Sequence, residues 1–196
     1  MKHPSTRDRI LEEADRLFYE RGYEHTAFAD IAEAVGISRG NVTFHYQTKD
    51  AILDAVIDLR LARTAALLER WETGGEGPAD RIRSFIDILI ANRAKIMLHG
   101  CPVGTLCSEL AKLEHHALSH ASALFTLFQE WLATQFAALG LKKEAGTLAL
   151  HLLARSQGIA TLASTFHDEA FLREEVRILH AWLDGITSSP SRRTRA

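Results

Sequence analysis

The chain has 196 residues, 46% of them hydrophobic, and a formal net charge of −2 at pH 7. This length allows a sizeable core in one or two domains. No stretch of the sequence has the apolar run of a membrane span, and the first ten residues lack that of a signal peptide. Two cysteines are too few for a secreted disulfide framework. We therefore expect a cytoplasmic protein without membrane contact.

Helix-forming residues dominate and no alternating β-rich run occurs, so the chain is predicted to be all-α with about nine helices. The first helix is predicted to start at a cap, Ser5 or Thr6, and to end near Arg21 before Gly22. It is too short to be stable alone, so it must pack on the next two helices. Its buried stripe comprises Ile10, Ala14, Leu17 and Phe18.

Two short helices joined by a tight turn are predicted between residues 26 and 46. We expect Thr26 to cap the first of these helices, and Gly36 to end it because glycine enters the left-handed backbone region without steric cost. Ser38 caps the second helix, residues 39–46, which is polar on most faces. This pattern is typical of a helix-turn-helix that reads the major groove of DNA. In the helix that ends at Gly36, one apolar face is formed by residues at i, i+3, i+4 and i+7, namely Phe28, Ile31, Ala32 and Val35.

A long helix is predicted from a cap at Thr48 to about Trp71, ending before a glycine-rich break. It leads from the first domain into the second. The remaining helices are predicted at about 79–98, 103–113, 115–139, 143–165 and 168–186. The predicted organisation is a DNA-binding domain at 1–50 with its helix-turn-helix at about 27–46, a larger helical domain at 51–187, and a disordered basic tail at 188–196.

The N-terminal residues resemble those of the TetR family of bacterial transcriptional regulators. The resemblance covers about twenty-five positions in fixed register and rests on Thr26, Ile31, Ala32, Gly36, Ile37, Ser38, Gly40, His45 and Lys49. Two positions depart from the family pattern: Thr43 stands where the family usually has Tyr, and Tyr46 where it usually has Phe. The family Tyr commonly touches a DNA phosphate, and Thr43 has a shorter reach.

The resemblance implies a three-helix DNA-binding domain joined by a long helix to a ligand-binding and dimerisation domain. It also implies a homodimer on a palindromic double-stranded operator and repression relieved by a small molecule. One recognition helix reads only a few base pairs, so a two-fold dimer agrees with this expectation. The net charge of −2 gives DNA binding no support, and the interpretation therefore rests on the positions of single cations.

We expect the DNA interface to lie between residues 26 and 49. Lys49 lies at a helix N-terminus, where free N–H groups also favour a phosphate. Phosphate contacts are predicted for Lys49, His45, Tyr46 and Thr26, and contacts to base edges or thymine methyl groups for Arg39, Asn41, Thr43 and Phe44. Gly40 permits close approach of the DNA backbone. Ser38 is also a candidate DNA-binding residue. The alternative is that Phe44 and Tyr46 are core residues and His45 belongs to a turn.

In the larger domain, an apolar ligand pocket is predicted between the central helices. Its candidate lining residues are Phe85, Leu89, Cys101, Phe125, Phe128, His151 and Arg155. His151 and Arg155 lie at i, i+4 and face either this pocket or a partner chain. The last two helices have wide apolar stripes that suit a four-helix dimer interface. The candidate interface residues are Leu152, Ile159, Leu179, Trp182 and Leu183.

No enzyme motif, catalytic residue or cofactor site is recognised in the sequence, and we expect a protein that is not an enzyme. The nearest candidate chemistry is a cluster whose His116 and His120, at i, i+4, could hold a metal ion. Exposed polar histidines without a metal are favoured, because no Cys-x-x-Cys motif accompanies them. The cluster comprises His99, Cys101, Cys107, Glu109, His115, His116 and His120.

Cys101 also suggests an alternative function. The pair Gly100–Cys101 is similar to one in several TetR-family members, including a branch that senses electrophiles and oxidants through that cysteine. A helix starting just after Cys101 would favour its thiolate form. The alternative is therefore a thiol-based electrophile- or redox-responsive regulator, although pocket lining by Cys101 is favoured. A more remote alternative is a helical enzyme with a Cys–His pair.

Overall fold

The computed structural model describes residues 4–74 and 77–188, and this part of the chain folds into ten α-helices. The predicted all-α class is confirmed, and none of the described helices is long and apolar enough to cross a lipid bilayer. The helices are α1 Thr6–Arg21, α2 Phe28–Val35, α3 Arg39–His45, α4 Lys49–Gly74, α5 Pro78–Ala91, α6 Arg93–His99, α7 Pro102–Lys112, α8 Leu118–Ala138, α9 Ala145–Phe166 and α10 Glu169–Ser188.

Two compact units divide the chain. The first, which we call the N-terminal unit, contains the residues up to Ala65 together with Pro102–Phe125. It joins α1, α2, α3 and the first half of α4 to α7 and the start of α8, so it extends well beyond the predicted domain of residues 1–50. Burial of apolar side chains is the main force that holds such a unit together. Its fully buried core includes Ile10, Ala14, Leu17, Ile31, Val42, Ile52, Leu53, Ile57, Leu110 and Ala121.

Local capping explains where the first three helices begin and end. Ser5, one of the two candidate caps in the sequence, caps α1 in a capping box with Asp8, and the Ser5 hydrogen bond lowers the pKa of that carboxyl. Gly36 ends α2 with φ 74° and ψ 41°, in the left-handed region. The Arg9 guanidinium donates to the Val35 carbonyl at 2.5 Å, which satisfies one of the carbonyls at the end of α2.

The turn between α1 and α2 is fixed by a residue from much later in the chain. The two oxygens of the Glu109 carboxylate, on α7, accept hydrogen bonds from the backbone N–H groups of Tyr23 and Glu24, each at 2.9 Å. Hydrogen bonds to an ionised acceptor are stronger than neutral ones. We call this contact the Glu109 clamp. Nearby, Arg60 on α4 donates to the Asp15 carboxylate on α1 at 2.6 Å and to the Pro102 carbonyl at 2.8 Å.

The second compact unit, which we call the C-terminal unit, contains Ala66–Cys101 and the residues from Thr126 onward. Here α10 packs on α5 and α9, and α6 packs on α9. The predicted tail at 188–196 lies, apart from Ser188 at the end of α10, outside the described residues. The buried core of this unit includes Ile82, Phe85, Ile86, Leu132, Phe136, Leu152, Ile159, Leu172, Leu179 and Leu183.

Three local predictions are wrong. The helix expected at 79–98 is interrupted at Asn92, whose φ of −103° and ψ of 9° leave helical geometry. The Asn92 side-chain amide donates to the Ile88 carbonyl at 3.0 Å, and such local bonds compete with the helix. Thr26 does not cap α2, because the N-cap is Ala27 and Asp30 accepts the Ala27 N–H at 2.7 Å. The helix expected from 115 begins at Leu118.

Gly22 supplies a test of the Glu109 clamp. Its φ of +90° is strained for any other residue, and an added Cβ would lie 2.9 Å from an oxygen of the Glu109 carboxylate. Gly22→Ala should therefore lower the free energy of unfolding by about 2–4 kcal/mol. The matched control is Gly36→Ala. Gly36 also has a positive φ, but an added Cβ there would meet nothing within 4 Å, so this substitution should lower the free energy of unfolding by about 1–2 kcal/mol.

Chemical denaturation of both variants, alone and with Glu109→Ala, measures the coupling. We expect Gly22→Ala to cost at least about 0.5 kcal/mol less when Glu109 is already Ala, because the displaced carboxylate is then absent. Additive effects of the two substitutions would contradict the clamp.

Candidate nucleic-acid interface

The recognition helix α3 is short, and its orientation depends on two residues. Ser38 caps it, with its hydroxyl accepting the Asn41 N–H at 3.2 Å. Val42 is fully buried in the N-terminal core and anchors the opposite side of the helix. This arrangement presents a contiguous solvent-facing surface, which we call the α3 surface. It comprises Arg39, Gly40, Asn41, Thr43 and Phe44.

Phe44 is the most unusual residue of the α3 surface, because 83% of its area is exposed. Its ring lies edge-on to the His45 ring with a centroid distance of 5.2 Å. Thymine methyl groups in the major groove offer an apolar contact for an exposed ring of this kind. The alternative that Phe44 belongs to the core is wrong.

Two of the predicted phosphate contacts are not accessible in this structure. Thr26 is fully buried, and its hydroxyl donates to the Gly22 carbonyl at 2.7 Å. Tyr46 is also buried, with the Arg7 guanidinium 5.1 Å above its ring, and burial raises the pKa of its hydroxyl. That hydroxyl has no hydrogen-bond partner within the described residues. Both side chains therefore have structural roles, which corrects the sequence interpretation.

Lys49 has a structural role in the turn between α1 and α2. Its ammonium donates to the carbonyls of Tyr23 and Glu24, at 3.1 and 3.4 Å, and lies 4.2 Å from the centroid of the Tyr23 ring. An ammonium has three donors, so one remains for a phosphate. Thr43 uses its hydroxyl on the Arg39 carbonyl of its own helix, at 3.1 Å. These partners of Lys49 and Thr43 were not predicted from the sequence.

The predicted pocket residues do not share one environment. Phe85, Leu89 and Phe128 are buried in the C-terminal unit, where the rings of Phe85 and Phe128 lie edge to face at 5.5 Å. Phe125 belongs to the N-terminal unit, and Cys101 is partly buried directly before Pro102, the first residue of α7. The reactivity of Cys101 and its place in a pocket remain predictions.

The other two pocket candidates lie on the outside of the C-terminal unit. His151 is exposed and lies 5.5 Å from the Trp182 ring, measured between centroids. Arg155 forms an ion pair with Glu175 of α10 at 2.5 Å, with 42% of its side chain exposed. Of the two orientations considered for these residues, the structure favours the outward one over a buried pocket.

Most of the predicted interface residues are in the wrong place to meet a partner. Leu152, Ile159, Leu179 and Leu183 are buried within their own chain, so they stabilise the C-terminal unit itself. Trp182 is half-buried. The large apolar residues that are exposed on α9 and α10 were not predicted from the sequence, because both faces of these helices contain apolar residues. They are Leu150, Leu162, Phe166 and Ile178.

Two sequence-family models match this chain. Residues 10–56 match "Bacterial regulatory proteins, tetR family", the segment that contains the α3 surface. The chain belongs to the tetR family. Residues 78–177 match the C-terminal domain described as "Transcriptional regulator LmrA/YxaF-like". The protein is therefore a DNA-binding transcriptional regulator of the tetR family and not an enzyme.

Individual relatives agree with this assignment. An uncharacterised HTH-type transcriptional regulator of Lactococcus lactis subsp. lactis is 27% identical over 89% of this chain and 91% of its own length. The HTH-type transcriptional repressor Rv3405c of Mycobacterium tuberculosis is 37% identical over 50% of this chain and 49% of its own. A TetR transcriptional regulator from Legionella pneumophila superimposes with a TM-score of 0.83 at 26% identity, covering 95% of this chain and 99% of that structure.

The two buried tyrosines give opposite predictions for loss of a hydroxyl. Tyr46→Phe removes a buried group without a partner, so the free energy of unfolding should stay the same or rise by up to about 1 kcal/mol. The matched control is Tyr23→Phe, which loses the hydrogen bond from the Tyr23 hydroxyl to the Asp50 carboxylate. It should lower the free energy of unfolding by about 1.5–3 kcal/mol, as measured by urea denaturation. A larger loss for Tyr46→Phe would show that its hydroxyl has a partner.

Proposed function

We propose that this tetR-family regulator is a repressor that binds a palindromic operator as a homodimer and is released by a small molecule of apolar character. The observation that carries the proposal is the α3 surface, which is polar, exposed and fixed by Ser38 and Val42. A helix that packs by one side chain and leaves the others in solvent is suited to the major groove. The cytoplasm, where operator DNA lies, is the expected location.

Each residue of the α3 surface has a proposed role. Arg39 and Asn41 can donate to base edges, with Arg matching guanine and Asn matching adenine. Phe44 covers a thymine methyl group. Gly40 lets the DNA backbone come close, while Lys49, with its remaining donor, and His45 bind phosphates, which fix the position of the helix without reading sequence.

A second copy of the chain would cover the exposed apolar residues of α9 and α10, which we call the α9–α10 surface. It contains Leu150, Leu162, Phe166 and Ile178, which an isolated chain would leave in water. Cβ atoms added at Gly158 and Gly185 would meet nothing within 4 Å, so these glycines leave room for a close helix. Supporting this use, the hydroxyls of Thr161 and Thr165 donate to carbonyls of their own helix at 2.9 and 2.8 Å, so burial would not leave them unsatisfied.

Release by a ligand requires that the ligand prefer one arrangement of the two recognition helices over the other. The repressor role is supported by the printed name of the Mycobacterium tuberculosis relative, which shares half of this chain. The apolar character of the effector is supported by the aromatic residues of the C-terminal unit, among them Phe85 and Phe128. Polar groups would then fix its orientation.

The proposed division between phosphate and base contacts can be tested with DNA selected from a random duplex library. Asn41→Ala should change the preferred base at one position of each half-site and weaken the selected sequence by about 1–3 kcal/mol per half-site. Lys49→Ala should weaken all sequences alike and lower the slope of log K against log salt by about one per half-site. Fluorescence anisotropy at several salt concentrations measures both effects. Unchanged sequence preference in Asn41→Ala would contradict base reading by α3.

The proposed dimer surface can be tested with single charges. Leu150→Glu and Ile178→Glu place a carboxylate on the α9–α10 surface and should produce folded monomers with operator affinity reduced at least about 100-fold. The matched control is Leu113→Glu, at an exposed leucine of the N-terminal unit, which should remain dimeric. Sedimentation at micromolar concentration gives the mass. A monomeric wild type, or dimeric variants at both positions, would contradict the proposal.

A further inference from the structure

In the N-terminal unit, a group of histidines faces a group of aspartates at partly exposed positions. The first turns of α4 carry Asp50, Asp54 and Asp58 at i, i+4 and i+8. The turn between α7 and α8 brings His115 and His116 next to Asp50. Nε2 of His115 lies 3.7 Å from Oδ1 of Asp50.

We propose that Asp50, His115 and His116 form a binding site for a divalent transition metal ion of the zinc type. One possible ligand atom from each residue lies within 4.8 Å of the other two. Imidazole and carboxylate at 2.0–2.2 Å are ordinary zinc ligands, and tetrahedral ligands are then about 3.4 Å apart. His116 is exposed and can rotate to close the difference. Three protein ligands leave the fourth position to water.

Neighbouring side chains already hold two of these ligands in place. The Tyr23 hydroxyl donates to the Asp50 carboxylate, and this bond, together with the two histidines, lowers the pKa of Asp50. The His115 ring packs edge-on against the Tyr23 ring at 5.1 Å and stacks on the His116 ring at 4.5 Å. Such outer contacts orient metal ligands and raise affinity. An ionised carboxylate and two adjacent imidazoles therefore share one side of the unit.

One hydrogen bond must change when the ion binds. Nδ1 of His115 accepts the Ala117 N–H at 3.1 Å, so the neutral ring carries its proton on Nε2, facing Asp50. A metal ion at Nε2 requires that proton to move to Nδ1, where it opposes the Ala117 N–H. Metal binding should therefore break this bond and alter the turn before α8. The change at the Ala117 amide is a specific signature that a loosely bound surface ion would not produce.

His120 provides a matched control within the same region. Its Nε2 lies 3.0 Å from Asp58 and its Nδ1 lies 3.5 Å from Asp54, so both ring nitrogens face carboxylates. His120 is also on the first turn of α8, close in sequence to His116, and is partly exposed. Substituting it changes the histidine content by the same amount without removing a proposed ligand.

The test is a titration of the full chain with Co²⁺, followed by competition with Zn²⁺. The wild type should give the visible absorption of tetrahedral cobalt with one ion per chain. His116→Gln and Asp50→Asn should bind Zn²⁺ at least about 10-fold more weakly, whereas His120→Gln should bind it unchanged. Circular dichroism shows whether each variant is folded.

The signature at Ala117 is measured by ¹⁵N–¹H spectra with and without Zn²⁺. We expect the Ala117 amide to shift in the wild type and to stay in place in His116→Gln. No cobalt absorption in the wild type, equal affinities in His116→Gln and His120→Gln, or an unmoved Ala117 amide at saturation would each overturn the proposal. None of these measurements uses DNA, so their outcome is independent of the proposed function.

Discussion

The hydrogen bonds from the backbone amides of Tyr23 and Glu24 to the Glu109 carboxylate fix the turn from which the helix-turn-helix starts. The same turn is held at its carbonyls by the Lys49 ammonium. Hydrogen bonds to charged groups are stronger than neutral ones, so this turn is stabilised when the charged side chains of α4 and α7 are in place. The DNA-reading element is thus completed by residues far along the chain, and Gly22 has no Cβ at the point where one would displace the carboxylate.

This dependence gives α7 a direct influence on the position of α2 and α3. Arg60 adds a second link, because it joins Asp15 of α1 to the carbonyl of Pro102 at the start of α7. Glu109 and Arg60 therefore connect the two ends of α7 to α1 and to the turn that precedes α2. An event that displaces α7 must break or move these bonds. Coupling through a physical element with two arrangements is what a ligand-controlled regulator requires.

Local chemistry made much of the fold predictable. Ser5, Gly36 and Ser38 act through the backbone within four residues of themselves. Gly36 and Ser38 were placed correctly from sequence, and Ser5 was one of two candidate caps. Contacts between distant residues were not predictable in this way: nothing near Glu109 in the sequence points to Tyr23. The exposed face of α9 and α10 was also not predicted. Ile159 and Leu162 are equally apolar, and only packing in the folded chain makes Ile159 buried and Leu162 exposed. Thr26 matched the family motif, but its burial shows a structural role.

The central claim is that two copies of the α3 surface read one operator. Hydroxyl-radical footprinting on selected DNA, combined with the mass of the complex, tests it most directly. The account predicts two inverted protected half-sites, separated by about one helical turn or a multiple of it, and an even number of chains in the complex. A single unsymmetrical footprint made by one chain, or no protected DNA at low salt, would contradict it.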